Sequence, residues 1–473
     1  MTGAGPEHLP AAELFRTYDI RGAAADLTEH DGAWWLGRAI ATMAAEGAPG
    51  PVALGRDGRL SSPAIAAAVA DGLRAGGATV IDLGPVPTPL LYYGAWRLAR
   101  GNGVMVTASH NPPADNGLKI VLGRRTLFGD AILDLRRRLH DGPLASGSGS
   151  YRTADILDDY RARIAEDIRL VRPLEVVVDA GNGIAGPAAV AVLEAVGARV
   201  HPLFCEPDGH FPHHHPDPSR PENLADLAEA VRQKGADLGL AFDGDGDRLG
   251  VVDDQGRLVW PDRLLALFLP EALAARPGAA VLFDVKSTGA LFDAITEAGG
   301  RPVMTPSGHS LIRARMETEG AVLAGELTGH LFLADRWFGF DDALYAGARI
   351  LELVARAPTT AAALGEPGDC VATPEIHLPV GRAHGQAVIA ALCSAAPPAG
   401  ATATTVDGLR LDFPRGWGLI RLSNTADALV LRFEAADVAE LGAQREQLRR
   451  LLVEVDPDLA GALAAANLLG GVS

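Results

Sequence analysis

The sequence predicts an α/β protein with three similar α/β domains that contain mixed sheets, followed by a C-terminal α+β domain, all around a central cleft. Three observations support this fold class. A unit of apolar strand, glycine-bearing loop, helix and second strand recurs three times along the chain. A further apolar strand follows each copy and leads directly into an unusual loop. The C-terminal part then changes to alternating strands combined with two helices.

The three copies share the same order of elements. Their predicted strand, helix and second strand span residues 52–57, 63–74 and 76–82, then 176–179, 187–196 and 197–201, then 281–284, 290–298 and 299–303. The strands that follow are predicted at residues 103–108, 237–242 and 321–324. Because the loops after these strands occupy equivalent positions in like domains, we expect them to converge on one shared cleft.

The tail is predicted as strands at residues 375–380, 409–413 and 429–434, with helices at 384–393 and 438–453. We place domain boundaries near residues 153, 257 and 369. The predicted domains are therefore 1–153, 154–257, 258–369 and 370–473. Residues 142–150, rich in glycine and serine, resemble a flexible linker.

Composition narrows the class of partner. The 473 residues include 42 Lys plus Arg against 59 Asp plus Glu, a net charge of −17, which argues against nucleic acid or an anionic membrane as partner. The 3 cysteines form no CxxC pair, and we identify no export signal or membrane anchor, so a reducing cytoplasm is expected. Only three lysines occur, and two of them, Lys119 and Lys286, fall in motif loops where arginine cannot replace a compact ammonium group.

The most informative stretch is the acidic run at residues 243–248, Asp-Gly-Asp-Gly-Asp-Arg. Three carboxylates this close repel one another unless a cation lies among them, so Asp243, Asp245 and Asp247 predict a site for a hard divalent metal. An EF-hand is excluded, because its sixth position needs glycine and its twelfth a glutamate, whereas this chain has Arg248 and Asp254 there. The remaining alternative is an acidic turn that binds nothing.

A second loop presents a hydroxyl group at the end of a predicted strand. Residues 107–113 read Thr-Ala-Ser-His-Asn-Pro-Pro, and the two prolines restrict the backbone that carries Ser109. Ser109 is therefore a candidate nucleophile or phosphoryl carrier. Alone, an ordinary serine in a turn would be the better interpretation. Together with the three carboxylates, a phosphoserine would complete an oxygen ligand set for Mg²⁺.

These motifs together resemble the α-D-phosphohexomutase superfamily, specifically the bacterial phosphomannomutase/phosphoglucomutase group, and the resemblance runs nearly end to end. It is carried by residues 15–22, 55–59, 107–112 with 116–119, 243–248, 325–330 and 415–425. The resemblance implies a reversible exchange between hexose 1-phosphate and hexose 6-phosphate, of mannose, glucose or both. It further implies a phosphoserine enzyme, a hexose 1,6-bisphosphate that turns around between two transfers and also serves as activator, and Mg²⁺ held by Ser109, Asp243, Asp245 and Asp247.

The resemblance also implies roles for individual residues. The catalytic candidates are Ser109, His110, Lys119, Arg248, His309 and His330. The substrate-binding candidates are Tyr18, Arg21, Lys286, His309, Glu326, Thr328, His330, Arg421, Ser423, Asn424 and Thr425. The turn at 421–425 gathers a guanidinium group, hydroxyls and an amide, which suits a phosphate, although a plain hairpin is the alternative. Lys119, His309 and His330 all remain candidates for proton transfer.

Three other functions stay open at this point. A phosphoglucosamine mutase is the nearest rival, a non-catalytic phosphosugar-binding protein the next, and a metal-dependent phosphatase the third. The histidines at 210 and 213–215 lie between prolines, and we interpret that tract as a structural surface loop rather than a metal site. We expect hexose phosphates as the small-molecule partners and a monomer or homodimer.

Overall fold

The computed structural model describes residues 9–365, 370–423 and 427–466. Contacts between residues divide the chain into two compact units. The first contains Met1–Arg276 and Gly308–Gly365, and the second contains Pro277–Ser307 and Glu366–Ser473. Residues 277–307, assigned from the sequence to the third domain, thus cluster with the C-terminal part. Across the described ranges, no helix is both long and apolar enough to span a bilayer.

The first sheet of unit one is mixed. Its strands run in the order Ile20–Ala23, Asp115–Leu122, Gly103–Val106, Val52–Arg56, Val80–Pro85 and Tyr151–Thr153, with Arg125–Thr126 paired to Asp115–Leu122. The last four strands of this order are parallel, and the pairings of Asp115–Leu122 are antiparallel. The helices of this region are Ala24–Thr28, Gly32–Gly47, Ser62–Ala75, Thr88–Leu98 and Asp130–Asp141.

Two of those helices, Gly32–Gly47 and Ser62–Ala75, pack unusually close. A Cβ atom added to Gly37 would lie 2.3 Å from the Val69 carbonyl oxygen, and one added to Gly72 would lie 1.9 Å from that of Trp34. No side chain fits at these distances, so glycine at both positions permits direct contact of the two backbones. The apolar faces beneath, such as Ile40 and Leu73, are fully buried.

The segment at residues 142–150 is anchored to neighbouring helices at several points, which differs from the free linker expected from its composition. Leu144 is buried in the core of the first sheet. Arg38 Nε donates to the Ala145 carbonyl at 2.9 Å, and Gly147 N donates to the Ala75 carbonyl at 2.9 Å. Here the glycines allow close approach to the neighbouring helix, a tertiary requirement that composition does not distinguish from linker flexibility.

The second sheet of unit one repeats the same plan. Its strands run in the order Leu258–Val259, Leu249–Val252, Leu238–Phe242, Glu175–Asp179 and Arg199–Leu203. The last three strands of this order, beginning with Leu238–Phe242, are parallel to one another. The pairing of Leu238–Phe242 with Leu249–Val252 is antiparallel. The helices are Leu157–Asp167, Ala185–Val196 and Ala225–Lys234. The acidic run therefore lies in the turn between two antiparallel, fully buried strands.

The rest of unit one contains an antiparallel pair, Leu323–Gly325 with Leu331–Leu333. Its helices are Pro261–Leu267, Leu269–Ala275, His309–Glu319, Ala343–Arg356 and Thr360–Leu364. The long helix Ala343–Arg356 begins at Asp342, whose side chain accepts a hydrogen bond from Tyr345 N at 2.9 Å.

Unit two combines a parallel pair with an antiparallel sheet. Strands Ala280–Asp284 and Arg301–Thr305 are parallel and flank helix Gly289–Glu297. The sheet runs in the order Val371–Ala372, Ala428–Ala435, Gly416–Leu422, Leu409–Phe413 and Thr402–Thr404, with Ile376–Pro379 also paired to Ala428–Ala435. Its helices are Arg382–Ser394, Val438–Val455 and Pro457–Ala465. The predicted tail elements agree with these bounds, and the strands Val371–Ala372, Thr402–Thr404 and Gly416–Leu422 and the helix Pro457–Ala465 are additional.

Candidate active site

Ser109 and the acidic run lie against each other. Ser109 follows strand Gly103–Val106 in a left-handed backbone conformation with φ of 50°, and its backbone NH donates to Thr107 Oγ1 at 2.8 Å. Its hydroxyl donates to Asp243 Oδ2 at 2.5 Å, and only 3% of the residue is exposed. A Cβ added to Gly244 would lie 2.2 Å from the Ser109 carbonyl oxygen, so glycine there lets the two loops touch.

Arg59 binds the backbone of the Ser109 loop, a role that was not predicted from the sequence. Its guanidinium donates to the carbonyl oxygens of Pro112, Asp115, Ser109 and Asn111 at 2.6, 3.1, 2.7 and 2.6 Å. Nε pairs with Asp57 Oδ2 at 3.1 Å, and 1% of Arg59 is exposed. Such a fork satisfies buried carbonyls that a loop of this shape leaves without secondary-structure partners. The only sequence feature that could have indicated this role is the position of Arg59 in the motif at residues 55–59.

Three buried carboxylates form the core of the site. One oxygen from each of Asp243, Asp245 and Asp247 lies within 4.8 Å of the others, and all three residues are fully buried. Asp243 Oδ1 accepts from the backbone NH groups of residues 246, 247 and 248 at 3.0 to 3.1 Å. Burial and the charges of Asp247 and Asp245 raise the pKa of Asp243 well above its ordinary value.

Lys119 and Thr88 complete the surroundings of the triad. Lys119 Nζ donates to Asp245 Oδ2 at 2.7 Å and also to Asp247 Oδ2, and Thr88 Oγ1 donates to Asp245 Oδ2 at 2.6 Å. Lys119 lies inside strand Asp115–Leu122, not in a loop as its motif suggested. Burial alone would lower its pKa, but Asp245 and Asp247 outweigh this and raise it well above the ordinary value.

These residues fit a hard divalent cation. The donor set consists of carboxylate oxygens and one hydroxyl, which are the ligands that Mg²⁺ prefers. Asp245 Oδ1 is buried and has no hydrogen-bond partner in the part of the chain that the structure describes. A buried anionic oxygen without a partner is costly, and a cation at that position would remove the cost.

The loop at 325–330 meets the acidic run. Arg248 and His330 form an isolated antiparallel bridge, and Leu249 N donates to the Gly329 carbonyl at 3.0 Å. His330 Nδ1 lies 2.9 Å from Glu326 Oε2, and its Nε2 lies 3.3 Å from Asp247 Oδ1. The predicted sugar-binding loop therefore contacts the predicted metal ligands through one imidazole ring.

The pKa values of the two histidines in this region are shifted in opposite directions. Burial lowers the pKa of His330, but Asp247 and then Glu326 raise it, to about 10. Burial, the charge of His330 and that of Lys119 lower the pKa of His309 well below its ordinary value. The ring centroids lie 5.2 Å apart, and His309 lies 6.1 Å from the ring of Tyr18. Thr328 Oγ1 lies 3.3 Å from His330 Nδ1.

Asp341 borders the same group, and no sequence motif marks it. It is 1% exposed, one of its oxygens lies within 4.8 Å of ligand atoms of Asp247 and His330, and neither oxygen has a hydrogen-bond partner among the described residues. Burial and the charge of Asp247 raise its pKa to about 6.

Basic groups surround the Ser109 loop. Arg248 NH1 lies 3.5 Å from Asp217 Oδ1, and His110 Nδ1 lies 3.4 Å from Asp217 Oδ2. Arg21 donates from NH1 to Asn111 Oδ1 at 3.1 Å. Asp217, which belongs to the tract interpreted as structural, therefore links two predicted catalytic residues. The sequence analysis missed it.

In unit two, Arg421 and Lys286 are anchored by acids. Arg421 is 5% exposed, and its Nε donates to Asp407 Oδ2 at 2.8 Å. Its NH2 has no hydrogen-bond partner in the described ranges. Lys286 Nζ donates to Glu375 Oε1 at 3.1 Å. Ser423 is buried, while Asn424 and Thr425 lie outside the described residues.

Comparison with known proteins assigns the chain to a family. Residues 12–133, 158–256 and 260–367 match alpha/beta/alpha domains I, II and III of the phosphoglucomutase/phosphomannomutase family, and residues 375–451 match its C-terminal domain. This chain belongs to the phosphoglucomutase/phosphomannomutase family. The predicted fold class of four domains with mixed sheets is thereby confirmed.

Relatives of this phosphoglucomutase/phosphomannomutase family member are similar over nearly their whole length. A phosphomannomutase/phosphoglucomutase of Pseudomonas aeruginosa is 48% identical over 462 residues, covering 97% of this chain and 99% of that protein. A phosphoglucomutase of Neisseria gonorrhoeae is 46% identical over 453 residues, covering 94% and 98%. The crystal structure of a phosphoglucomutase/phosphomannomutase family protein from Burkholderia thailandensis has a TM-score of 0.90 at 44% identity, covering 97% of this chain and 99% of that one.

Within unit one, the structure of this family member brings most of the predicted site residues together. The connected group contains Tyr18, Arg21, Ser109, His110, Lys119, Asp243, Asp245, Asp247, Arg248, His309, Glu326, Thr328 and His330. Lys286, Arg421 and Ser423 belong to unit two.

Proposed function

We propose that this chain reversibly converts hexose 1-phosphate and hexose 6-phosphate, with mannose or glucose as the sugar. The observation that carries the proposal is the hydrogen bond of 2.5 Å from Ser109 Oγ to Asp243, within a cluster of three buried carboxylates. A hydroxyl held against such a cluster suits phosphoryl transfer, in which a metal-bound phosphoryl group passes between oxygens.

Ser109 is the proposed phosphoryl carrier. In the forward direction a sugar hydroxyl attacks the phosphorus of phosphoserine, the bond from phosphorus to Ser109 Oγ breaks, and a hexose 1,6-bisphosphate forms. After this intermediate turns around, Ser109 Oγ attacks its other phosphorus and recovers a phosphoryl group. His110, Arg248 and Arg21, grouped at the Ser109 loop, supply positive or hydrogen-bonding groups for the phosphoryl oxygens.

Asp243, Asp245 and Asp247, together with the Ser109 phosphate, are the proposed ligands of Mg²⁺. When bound, the cation neutralises phosphoryl oxygens and makes the phosphorus easier to attack. Lys119, charged and hydrogen-bonded to two of these carboxylates, stabilises the same region from the protein side. Hexose 1,6-bisphosphate is the proposed activator, since it phosphorylates an enzyme that has lost its phosphoryl group.

His330 is the proposed proton acceptor for the attacking hydroxyl. Of the three candidates, it alone contacts both Glu326, a proposed sugar-hydroxyl ligand, and the metal ligand Asp247. Lys119 pairs with the triad carboxylates Asp245 and Asp247. His309 packs between the rings of His330 and Tyr18. The positive charge of His330 depends on those two acids, so neutralising Asp247 with a cation moves its pKa back towards neutrality. Glu326, Thr328, His309 and Tyr18 are the proposed contacts to sugar hydroxyls.

Arg421, Ser423, Asn424, Thr425 and Lys286 are the proposed binding residues for the phosphate that does not react. Asp407 orients the Arg421 guanidinium through Nε and leaves NH2 available for an anion. A bidentate fork of this kind binds phosphate in the same way whether the sugar carries it at C1 or at C6.

Three further expectations are kept as proposals. The domain boundaries remain 153, 257 and 369. A cytoplasmic location is supported by the low cysteine content, three residues that form no CxxC pair in the sequence. The enzyme is proposed to be a monomer or homodimer, which light scattering of the purified protein measures.

A coupled assay tests the proposed function. Purified protein with Mg²⁺ and glucose 1,6-bisphosphate is given mannose 1-phosphate, glucose 1-phosphate or glucosamine 1-phosphate, and formation of each 6-phosphate is followed. We expect turnover of the mannose or glucose compound, or both. Turnover of glucosamine 1-phosphate alone would make the chain a phosphoglucosamine mutase, and no turnover of any sugar would overturn the proposal.

A further inference from the structure

A second group of potential metal ligands lies beside the acidic triad. His110, His215 and Asp217 each offer one ligand atom, and these atoms lie within 4.8 Å of one another. His110 Nδ1 lies 3.4 Å from Asp217 Oδ2, and the two imidazole rings are 6.3 Å apart between centroids. None of the motifs that imply the mutase reaction includes His215 or Asp217.

His215 differs from the other histidines of its loop. Three of the four bind other side chains: His210 pairs with Asp208 at 2.9 Å, His213 with Asn182 at 2.7 Å and His214 with Asp179 at 3.0 Å. The ring of His213 also stacks on Phe204 at 3.9 Å. His215 instead approaches the loop that carries Ser109. The tract that was interpreted as wholly structural therefore contains one histidine with a different environment.

The Asp217 carboxylate is oriented towards these rings. Ser219 donates to Asp217 Oδ1 from its backbone NH at 3.1 Å and from its hydroxyl at 2.6 Å, while Oδ2 is the oxygen near His110. Hydrogen bonds that fix a ligand in this way are typical of metal sites. Pro216 and Pro218 restrict the backbone on both sides of Asp217.

We propose that His110, His215 and Asp217 form a binding site for a first-row transition metal, with Zn²⁺ as the ion it suits best. Two imidazole nitrogens and one carboxylate oxygen are a ligand set of zinc, whereas the all-oxygen triad suits Mg²⁺. Ligands about 2.0–2.1 Å from a tetrahedral ion are separated by roughly 3.3–3.4 Å. The observed 3.4 Å between His110 and Asp217 already matches that separation.

The site is coupled to the catalytic loop. Arg248 NH1 lies 3.5 Å from Asp217 Oδ1, and Arg220 Nε lies 3.7 Å from Asp217 Oδ2. Arg220 has 62% of its side chain exposed and can turn away into solvent, whereas Arg248 is enclosed. A bound cation neutralises the Asp217 carboxylate and so weakens its attraction to the Arg248 guanidinium. It also immobilises His110, the neighbour of Ser109. Zinc at this site therefore inhibits turnover. This inhibition rests on the proposed function, whereas the binding of zinc does not depend on it.

Metal binding is measured on the full chain by equilibrium dialysis against Zn²⁺ with an excess of Mg²⁺. The variants are His215→Ala, the matched control His213→Ala from the same loop, and Asp245→Asn, which disables the triad. We expect wild type, His213→Ala and Asp245→Asn to keep this zinc ion. His215→Ala should bind it at least about tenfold more weakly, since even the loss of an orienting partner costs that much. Asp217→Asn serves as a second variant if His215→Ala does not fold.

Anomalous diffraction at the zinc edge from crystals soaked in Zn²⁺ and Mg²⁺ locates the ion. A peak between His110, His215 and Asp217 supports the proposal. Zinc found only among Asp243, Asp245 and Asp247, or equal zinc affinity of wild type and His215→Ala, overturns it. In the mutase assay, His215→Ala should need at least about tenfold more zinc for half-inhibition than His213→Ala; unchanged sensitivity would reject the coupling.

Discussion

The Ser109 hydroxyl donates a hydrogen bond of 2.5 Å to Asp243 Oδ2, although the two residues are 134 positions apart in the chain. Two separate domains of the first unit thus place a nucleophile and a carboxylate cluster in contact. The contact depends on close approach of the backbones at Gly244.

Replacing Ser109 by Ala should reduce turnover about a thousandfold or more, a barrier increase of roughly 4 kcal/mol, because Ala lacks the hydroxyl that is proposed to carry the phosphoryl group. The fold should persist, since the substitution removes only the Oγ atom and keeps the Cβ atom and the backbone unchanged. The measurements are kcat for the preferred hexose 1-phosphate and the mass of intact protein after incubation with the bisphosphate. Phosphorylation of the variant to the wild-type extent would contradict the assigned carrier.

Magnesium should stabilise the folded protein against heat, because it relieves the repulsion among three buried carboxylates. Ligand binding to the native state alone adds about 2.7 kcal/mol at a hundredfold excess over Kd. Removal with a chelator should abolish turnover and lower Tm, and both should return on adding Mg²⁺. Asp245→Asn should lose the thermal response, whereas the exposed control Asp254→Asn should keep it. An identical response in both variants would place the cation elsewhere.

Substituting Arg59 by Lys should lower kcat about 10- to 100-fold, since Lys cannot bridge the carbonyls that shape the Ser109 loop. The free energy of unfolding should also fall by about 3 kcal/mol, as expected when a buried ion pair is disturbed. Arg56→Lys is the matched control, because Arg56 belongs to the same motif but lies 3.7 Å from a partly exposed Asp82. Kinetics and denaturant unfolding measure the two effects. Equal losses in both variants would remove the positioning role.

Exchanging Arg421 for Ala should raise KM for hexose phosphate at least about tenfold, corresponding to 1.4 kcal/mol of binding, with a smaller effect on kcat. The reason is that a phosphate bound equally in ground state and transition state contributes mainly to affinity. Arg415→Ala, whose side chain is 56% exposed, is the control. An unchanged KM in the Arg421 variant would take this residue out of the phosphate site.

The His214–Asp179 pair should make stability depend on pH. Burial lowers the pKa of His214, but the hydrogen bond and charge of Asp179 outweigh it and raise the pKa above the ordinary value. A raised folded-state pKa means that this stabilisation is complete below the unfolded pKa and is lost as pH rises through the folded one. His214→Gln should therefore cost about 1.5–3 kcal/mol at pH 5.5 and less at pH 9.

Denaturant unfolding at both pH values gives the difference. His213→Gln, in the same loop but paired with the neutral Asn182 side chain, is the control and should show a smaller dependence on pH. A loss for His214→Gln that is greater at pH 9 would reverse the sign and refute the assignment.

Much of the site was predictable because its signals are local in sequence. The acidic run, the Ser109 loop and the loop at 325–330 each combine a buried strand with an unusual turn, and the structure has strands Gly103–Val106, Leu238–Phe242 and Leu323–Gly325 directly before them. The tail strand Leu409–Phe413 was predicted with the bounds it has. Short apolar runs bounded by turn residues, or alternating apolar residues in the tail strand, specify such elements without reference to the rest of the chain.

Other residues could not be found this way. Arg59 binds carbonyl oxygens 50 to 56 positions away. Because every residue has a main-chain carbonyl, the sequence does not show which of them accept these hydrogen bonds. Asp217 and His215 were grouped with histidines that do have structural roles, and only their distances to His110 separate them. The packed segment at 142–150 has the composition of a linker, since glycine serves close contact and flexibility alike.

By itself, the amino-acid sequence determined the fold class, the family resemblance and which loops are candidates for the active site, because hydrophobic periodicity and short motifs are properties of neighbouring residues. Only the tertiary structure decided which carboxylate meets Ser109, why the pKa of His330 is raised while that of His309 is lowered, and which histidine of the 210–218 loop faces His110. Hydrogen bonding and charge depend on distance and burial, and both are settled only when remote segments pack together.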